Sequence, residues 1–512
     1  MTDHKTHSPH GSGIRGLNTA DALPEKLDAI DNHQGQFGRL FNLPPGEFKE
    51  HDLYTLATAM RSDDGPKDGA DDEESHIPSA YTYFGQFIDH DLTFDPSSFK
   101  QQKSDPNGII DFRTPRFDMD NVYGRGPADQ PFLYDGNALL QGTKFFPVKR
   151  NPNARDLPRS VPDNNGTRRA IIGDPRNDEN AIVSQFQGMM FRFHNRVVQD
   201  SPKGESFDAI SRSVRWHYQW LVVHDFLTRI VREDVLNSVS PAILDPNISF
   251  KSAPPQFKIF TLDAAVMPVE FSVAAYRLGH SMVRPGYRVN ENIFPLPIFD
   301  HDNPSSGLNA FGEFPNNWTI DWQRFIDLGI GPKLETDTDR VQLAYKLDTS
   351  LVEPLGNLPA SVAGQEAVAD KKFFSLAFRN LRRGVLLKLP TGQAIANVMG
   401  VDVLHDKEII IGAATVRKPP LKEEKTITDI ASSFAGNCPL WVYVLAEARK
   451  NFYDHGEARL GDVGGRIVAE TFLKLLVLDQ SSYIQHTGGW KPTLAKNNTF
   501  TLATLLNYAL GN

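Results

Sequence analysis

Apolar residues in this chain recur again and again at helical spacing and almost never alternate. In the stretch from Ala181 to Gln199, the residues Ile182, Phe186, Met189, Phe193 and Val197 follow one another at steps of four, three, four and four. That period draws one apolar stripe along a helix. Phe271–Val283, Phe373–Leu387, Leu440–Asn451 and Gly464–Leu478 repeat the pattern. Phe207–Val231 is apolar on most sides and reads as a long buried helix. Ile409–Thr415 is the best short strand. The fold class is therefore mainly α: a single large helical domain with few short strands and long irregular loops.

Composition narrows the functions open to such a domain. The 512 residues would fill about three average domains. No linker-like stretch divides them, and no internal repeat marks a solenoid or propeller. Residues 1–20 read as a disordered polar tail and residues 21–512 as one domain. The tail has no apolar core of a signal peptide, and location stays open, since cytoplasmic retention and leaderless export both fit. No run of about 18 uncharged apolar residues is present, so no membrane span is expected. A net charge of −9 gives no electrostatic case for nucleic acid. One cysteine, Cys438, excludes an intrachain disulfide and a cysteine-ligated zinc site. Metal ligands must come from His, Asp, Glu or backbone oxygens, and 15 histidines leave room for them.

Five segments concentrate residues that carry chemistry. In YFGQFIDHDLTFDP (Tyr83–Pro96), Gln86, Asp89 and His90 share a helix face, and Asp91 points elsewhere. In GDPRNDEN (Gly173–Asn180), Arg176 and Glu179 are three apart beside Pro175, which suits a first helical turn. In AYRLGHSMVRP (Ala275–Pro285), Arg277 and His280 are three apart, and Gly279 would let a flat bulky group approach. In RNLRRGVLLKLP (Arg379–Pro390), Asn380 and Arg383 share a face, and the Asn380 carbonyl suits the N–H of a metal-bound imidazole. In TPRFDMDNVYG (Thr114–Gly124), Thr114, Asp118 and Asp120 offer the oxygens that calcium takes from short irregular loops. Taken singly, each has an ordinary reading: a polar helix end, a capped start, a core histidine, a solvated face, an Asx-rich turn.

Together, in their order along the chain and at these spacings, the segments resemble the animal-type haem peroxidase family, within the peroxidase–cyclooxygenase superfamily. The likeness runs from about Gly35 to Pro492. It includes LGDVGGRIVA (Leu460–Ala469) and Pro439–Leu440–Trp441, which look like those of bacterial members. The resemblance implies haem b held by His280 as proximal ligand, with Asn380 as its hydrogen-bond partner and Arg277 and Arg383 near the haem. It implies His90, Gln86 and Arg176 as the distal catalytic set. Asp89 and Glu179 match the carboxylates that become ester-linked to haem. Asp91, Thr114, Arg116 (through its carbonyl), Asp118 and Asp120 match a site for one calcium ion.

The implied activity is reduction of hydrogen peroxide coupled to oxidation of iodide, bromide, thiocyanate or small phenols, with a link to oxidative stress. Two other readings stand beside it. A fatty-acid oxygenase of the cyclooxygenase or α-dioxygenase type would place a radical tyrosine three residues before the proximal histidine. Here that position is Arg277, and Tyr276 lies four before, on another face. A haem-free adhesion protein on the same scaffold would have no reason to keep His90, Arg176 and His280 together. A cysteine-ligated haem is not expected, because Cys438 lies in an apolar run without flanking Gly and Arg.

Overall fold

Two helices form the centre of the molecule because their phenylalanines interlock. In the computed structural model, α2 spans Ala80–Leu92 and α3 spans Ala181–Asp200. The Phe186 ring of α3 lies 5.9 Å from that of Phe84 and 5.4 Å from that of Phe87. The stripe read from the sequence is the buried one: Ile182, Phe186, Met189, Phe193 and Val197 are all buried. α3 starts where it does because the Asn180 side chain accepts the N–H groups of Ile182 and Val183, which no helical carbonyl serves. The structure describes residues 37–62, 71–93, 113–303, 305–308, 311–330, 335–336, 339–415, 424–487, 489–496 and 499–512. The expected tail of residues 1–20 lies outside them.

Other helices pack around this pair. α1 is Glu50–Ala59, α4 is Phe207–Leu221, α5 is Leu376–Leu386, α6 is Gly392–Met399, α7 is Leu440–His455, α8 is Asp462–Leu478 and α9 is Leu502–Leu510. α4 and α9 lean on α3, α5 packs on α1, and α7 packs on α6 and α8. The Glu447 carboxylate of α7 accepts the N–H groups of Val463 and Gly464 and so caps α8. Buried apolar residues from Phe41 to Ala509 form one cluster. Among the described residues, sheet is limited to two-stranded pieces, and no helix is long and apolar enough to cross a membrane.

The sequence reading differs from the structure in four elements. Phe207–Val231 is continuous but not uniform: after α4 the chain widens into a π-turn, Val222–Phe226, and then resumes as Leu227–Ile230. The wider turn lets the buried Asp225 accept both the Tyr81 hydroxyl and the Leu502 N–H, each at 2.7 Å. Phe271–Val283 is not one amphipathic helix. A short α-turn, Val269–Val273, breaks at Ala274 (φ −128°, ψ −75°) and continues as a 3-10 helix, Ala275–His280. The cause is local: the Arg277 guanidinium takes the Ser272 carbonyl at 2.9 Å, which a continuing α-helix would give to the N–H of Tyr276. Phe373–Leu387 starts late as α5, because Ser375 caps it. The strand expected over Ile409–Thr415 shrinks to Ile410–Ile411, paired with Lys425–Thr426. It ends at Gly412, whose φ of +127° turns the chain and whose N–H and carbonyl go to Thr349.

Candidate active site

A cavity of about 340 Å³ opens between α2, the Pro175–Asp178 turn and the Ala275–His280 segment. Gln86, Asp89, His90, Arg176, Glu179, Arg277, His280 and Arg383 all line it. The expected distal set and the expected proximal set therefore face one space, although they come from four stretches of chain.

His90 sits on α2 with its ring buried, and its Nδ1 is 2.6 Å from Oδ1 of Asn177. Burial, reinforced by the neighbouring Arg176 charge, pulls the imidazole down to about 4, so it is neutral at pH 7. Arg176 is fixed by Asp174, which accepts from its backbone N–H and from its guanidinium (2.7 Å to Nη2). The guanidinium also donates to the carbonyls of His90 and Thr93, which ties the turn to the end of α2. Asp174 is buried, which favours the neutral acid, yet Arg176 and Arg113 overcome that and hold it well below the usual carboxylate range. Gln86 donates to Glu179. Burial pushes the Glu179 carboxyl up to about 7. Asp89 accepts from Thr93 and faces the cavity.

On the other segment, the 3-10 geometry brings residues three apart into register, so Arg277 and His280 lie on one side. Burial, followed by the Arg277 charge, lowers the His280 imidazole to about 3. Its Nδ1 is 2.8 Å from the Asn380 amide, which α5 supplies. The partner is the expected one, but the amide presents Nδ2 rather than its carbonyl. A neutral imidazole accommodates either end, since its tautomers exchange donor and acceptor at Nδ1. A metal on Nε2 would select the carbonyl end. Gly279 lines the cavity, and a Cβ added there would meet no atom within 4 Å; its backbone is open to a flat group, as the sequence reading expects.

Behind His90, Asp91 is turned away from the cavity towards Asp118 and Asp120. One carboxylate oxygen from each lies within 4.8 Å of the others, and all three residues are buried. Both oxygens of Asp91 lack a hydrogen-bond partner. Burial and the two neighbouring carboxylates push the Asp91 carboxyl well up. Thr114 donates to Asp118 at 2.6 Å. The Arg116 N–H meets the Thr114 carbonyl at 2.7 Å, folding the loop tightly. A buried carboxylate with no donor is costly unless a cation meets it, so this oxygen-only cluster fits a hard divalent ion such as calcium.

The profile described as "Animal haem peroxidase" matches residues 97–306. That match covers about two fifths of the chain, within an animal haem peroxidase domain. Peroxidase A of Dictyostelium discoideum superposes with a TM-score of 0.58 at 16% identity, over 88% of each chain. The fatty acid α-dioxygenase of Arabidopsis thaliana gives 0.53 at 15% identity, over 93% of this chain and 75% of its own. That of Oryza sativa gives 0.53 at 12%, over 93% and 79%. No curated protein sequence matches. At these identities the likeness establishes the peroxidase fold, and it spans both peroxidases and oxygenases.

The sequence reading missed several residues that position the site. Asn177 and Asp174 lie inside GDPRNDEN, where a buried amide and a buried acid beside Arg176 are the available signal. Arg113 joins Asp174 (2.6 Å) to Asp120 (2.9 Å) and so links the distal arginine to the carboxylate cluster. Tyr276 was expected on another face, but it lines the cavity, and its hydroxyl donates to the Gly85 carbonyl at 3.3 Å. The break at Ala274 turns it inward.

Proposed function

We propose that this chain is a hydrogen-peroxide-dependent haem peroxidase that oxidises iodide, bromide, thiocyanate or small phenols. The observation that carries the reading is the single cavity lined by His90 and Arg176 and by His280, with His280 braced by Asn380. The residues fit haem: an imidazole nitrogen for iron, a glycine beside it that leaves room, and Arg277 and Arg383 to meet the carboxylate side chains. Held through His280, haem would supply the redox chemistry that reduces hydrogen peroxide.

The chain's own residues then handle protons and charge. His90 is neutral, and Asn177 accepts at its Nδ1, so Nε2 holds a lone pair. Nε2 takes the proton of hydrogen peroxide and returns it to the outer oxygen, which leaves as water. Arg176, held by Asp174, stabilises negative charge on that oxygen. Gln86 and Glu179 form the polar rim, and Asp89 and Glu179 are the candidates for ester links to haem. Asp91, Asp118, Asp120, Thr114 and the Arg116 carbonyl would hold one calcium ion behind α2, which fixes the rotation of the helix that carries His90.

Tyr276 on the cavity supports a second reading, fatty-acid oxygenation, for which a redox-active tyrosine is needed. Arg277 three residues before His280 favours peroxidation. The two are separated by one comparison. Haem-reconstituted protein should show a Soret band that His280→Ala alters or loses, and should oxidise iodide and guaiacol with peroxide. Oxygen uptake with a polyunsaturated fatty acid, without peroxidation of small donors, would reverse the choice.

A further inference from the structure

Buried Tyr483 and half-buried His224 form a pair whose proton positions are set by a backbone carbonyl. Nδ1 of His224 is 3.1 Å from the Ile243 carbonyl oxygen, which only accepts. Nδ1 therefore carries the proton and Nε2 keeps its lone pair. The Tyr483 hydroxyl, 3.0 Å away, donates to Nε2. Tyr483 is 4% exposed, so water does not compete for the phenol.

Three of the chain's six tryptophans gather around this pair. The Trp220 ring is 4.1 Å from His224 and 5.8 Å from Tyr483. Trp490 is 6.0 Å from Tyr483, and Trp216 is 5.5 Å from Trp490. Trp220 is buried, whereas Trp216 and Trp490 are partly exposed. A run of oxidisable rings thus leads from the interior to the surface. Its inner end meets the cavity wall through the π-turn: His224 and Phe226 are two residues apart, so their Cα atoms are separated by at most about 7 Å. Phe226 lines the cavity and stands 6.3 Å from Tyr276. The Tyr123–His194 pair is built the same way, but the ring beside it is Phe207, far harder to oxidise than an indole.

We propose that the Tyr483–His224–Trp220–Trp490–Trp216 cluster is a second oxidation site, which delivers oxidising equivalents from the cavity to bulky electron-rich aromatic donors at the surface. The inference rests on the peroxidase reading, since the oxidant is the haem after reaction with hydrogen peroxide. One electron leaves Tyr483 for that oxidant, by way of Phe226 and Tyr276. The phenol proton passes to Nε2 of His224 in the same step, leaving a neutral tyrosyl radical and an imidazolium. Trp490 and Trp216 pass the hole outward. A surface donor returns one electron, and the proton goes back from His224 to the phenolate oxygen.

The test is spin trapping with peptide mass mapping on the haem-loaded protein, treated with hydrogen peroxide in the absence of donor. Trap adducts are expected on Trp216, Trp490 or Tyr483. Tyr483→Phe should bring adducts on the two tryptophans down to background and slow oxidation of a bulky dye. It should leave iodide oxidation unchanged. Trp216→Phe should lower dye oxidation alone. Normal iodide oxidation with no adducts on the cluster, or with adducts unaffected by Tyr483→Phe, would overturn the inference and leave the peroxidase reading standing. A wild-type protein that oxidises neither iodide nor dye would overturn both.

Discussion

Asn177 holds its side-chain oxygen 2.6 Å from Nδ1 of His90, and it cannot turn round. Its Nδ2 donates to Gln187, whose own amide donates to the Asn121 carbonyl, each at 2.9 Å. That chain of buried amides fixes which end of Asn177 meets the imidazole. The imidazole must therefore carry its proton on Nδ1 and present a bare Nε2.

Replacing Asn177 with leucine should release the tautomer without filling the cavity. The rate of the reaction with peroxide should fall about tenfold or more, because the base is then correctly protonated only part of the time. Stopped-flow measurement at low peroxide checks this, and Asn177→Asp should restore much of the rate. The pH profile follows from the same residue. His90 titrates at about 4, lowered by burial and by Arg176. The rate should be flat from neutral pH down to about 5 and fall as pH drops through about 4, where the base takes up its proton.

Glu179 should make the haem-free protein less stable as pH rises. Burial raises its carboxyl from 4.5 to about 7. The folded protein keeps this proton where the unfolded chain has lost it. The stability it supplies is whole below the unfolded value and is lost as pH climbs to about 7. Glu179→Gln removes the titration while keeping an oxygen for Gln86. At pH 8 the variant should exceed the wild type by up to roughly 3 kcal/mol, and at pH 4 the two should match. Thermal melts of the haem-free protein at the two pH values decide it.

The carboxylate cluster predicts a change of sign. With calcium bound, Asp91, Asp118 and Asp120 are neutralised; without it they repel one another in a buried place. Chelation should lower the melting temperature of the wild type, since an ion held only by the folded state stabilises it. Asp91→Asn should be less stable than the wild type in calcium and more stable in chelator. A variant that melts with the wild type in both conditions would remove the cluster from the list of metal sites.

What could be read from the sequence was whatever local periodicity or spacing decides. The stripe from Ile182 to Val197 depends on a single helix period, and α3 follows it. Gln86, Asp89 and His90 fall on one side of α2 for the same reason, with Asp91 behind them. What could not be read depended on which partner each side chain takes, whether near in sequence or far. The break at Ala274 follows from Arg277 taking the Ser272 carbonyl, which no period signals, and it turns Tyr276 into the cavity. The bridge from Asp120 through Arg113 to Asp174 joins residues up to 61 positions apart in sequence, and only the fold shows that they touch.

On the proposed peroxidase reading, Asn180 bears on which halide is oxidised. In the peroxidases that the sequence resembles, a methionine directly after the ester-linked glutamate can form a third, sulfonium link to haem, which withdraws electrons and raises its oxidising power. Here that position is Asn180, which has no sulfur. The structure gives the residue a different role: its side chain caps α3 through Ile182 and Val183 and reaches Gln86 at 3.5 Å. A methionine at this position would cost the cap about 1 kcal/mol, so the asparagine is tied to the fold as well as to the site. Cofactor electronics are among the few levers a protein holds over such chemistry, and chloride is the hardest of these halides to oxidise. Bromide, iodide and thiocyanate should therefore be turned over readily, with little chlorination. Monochlorodimedone bleaching near neutral pH compares the halides directly. Bromide should be used far faster than chloride, and comparable rates would show that Gln86 and Arg176 suffice for chloride without the sulfonium.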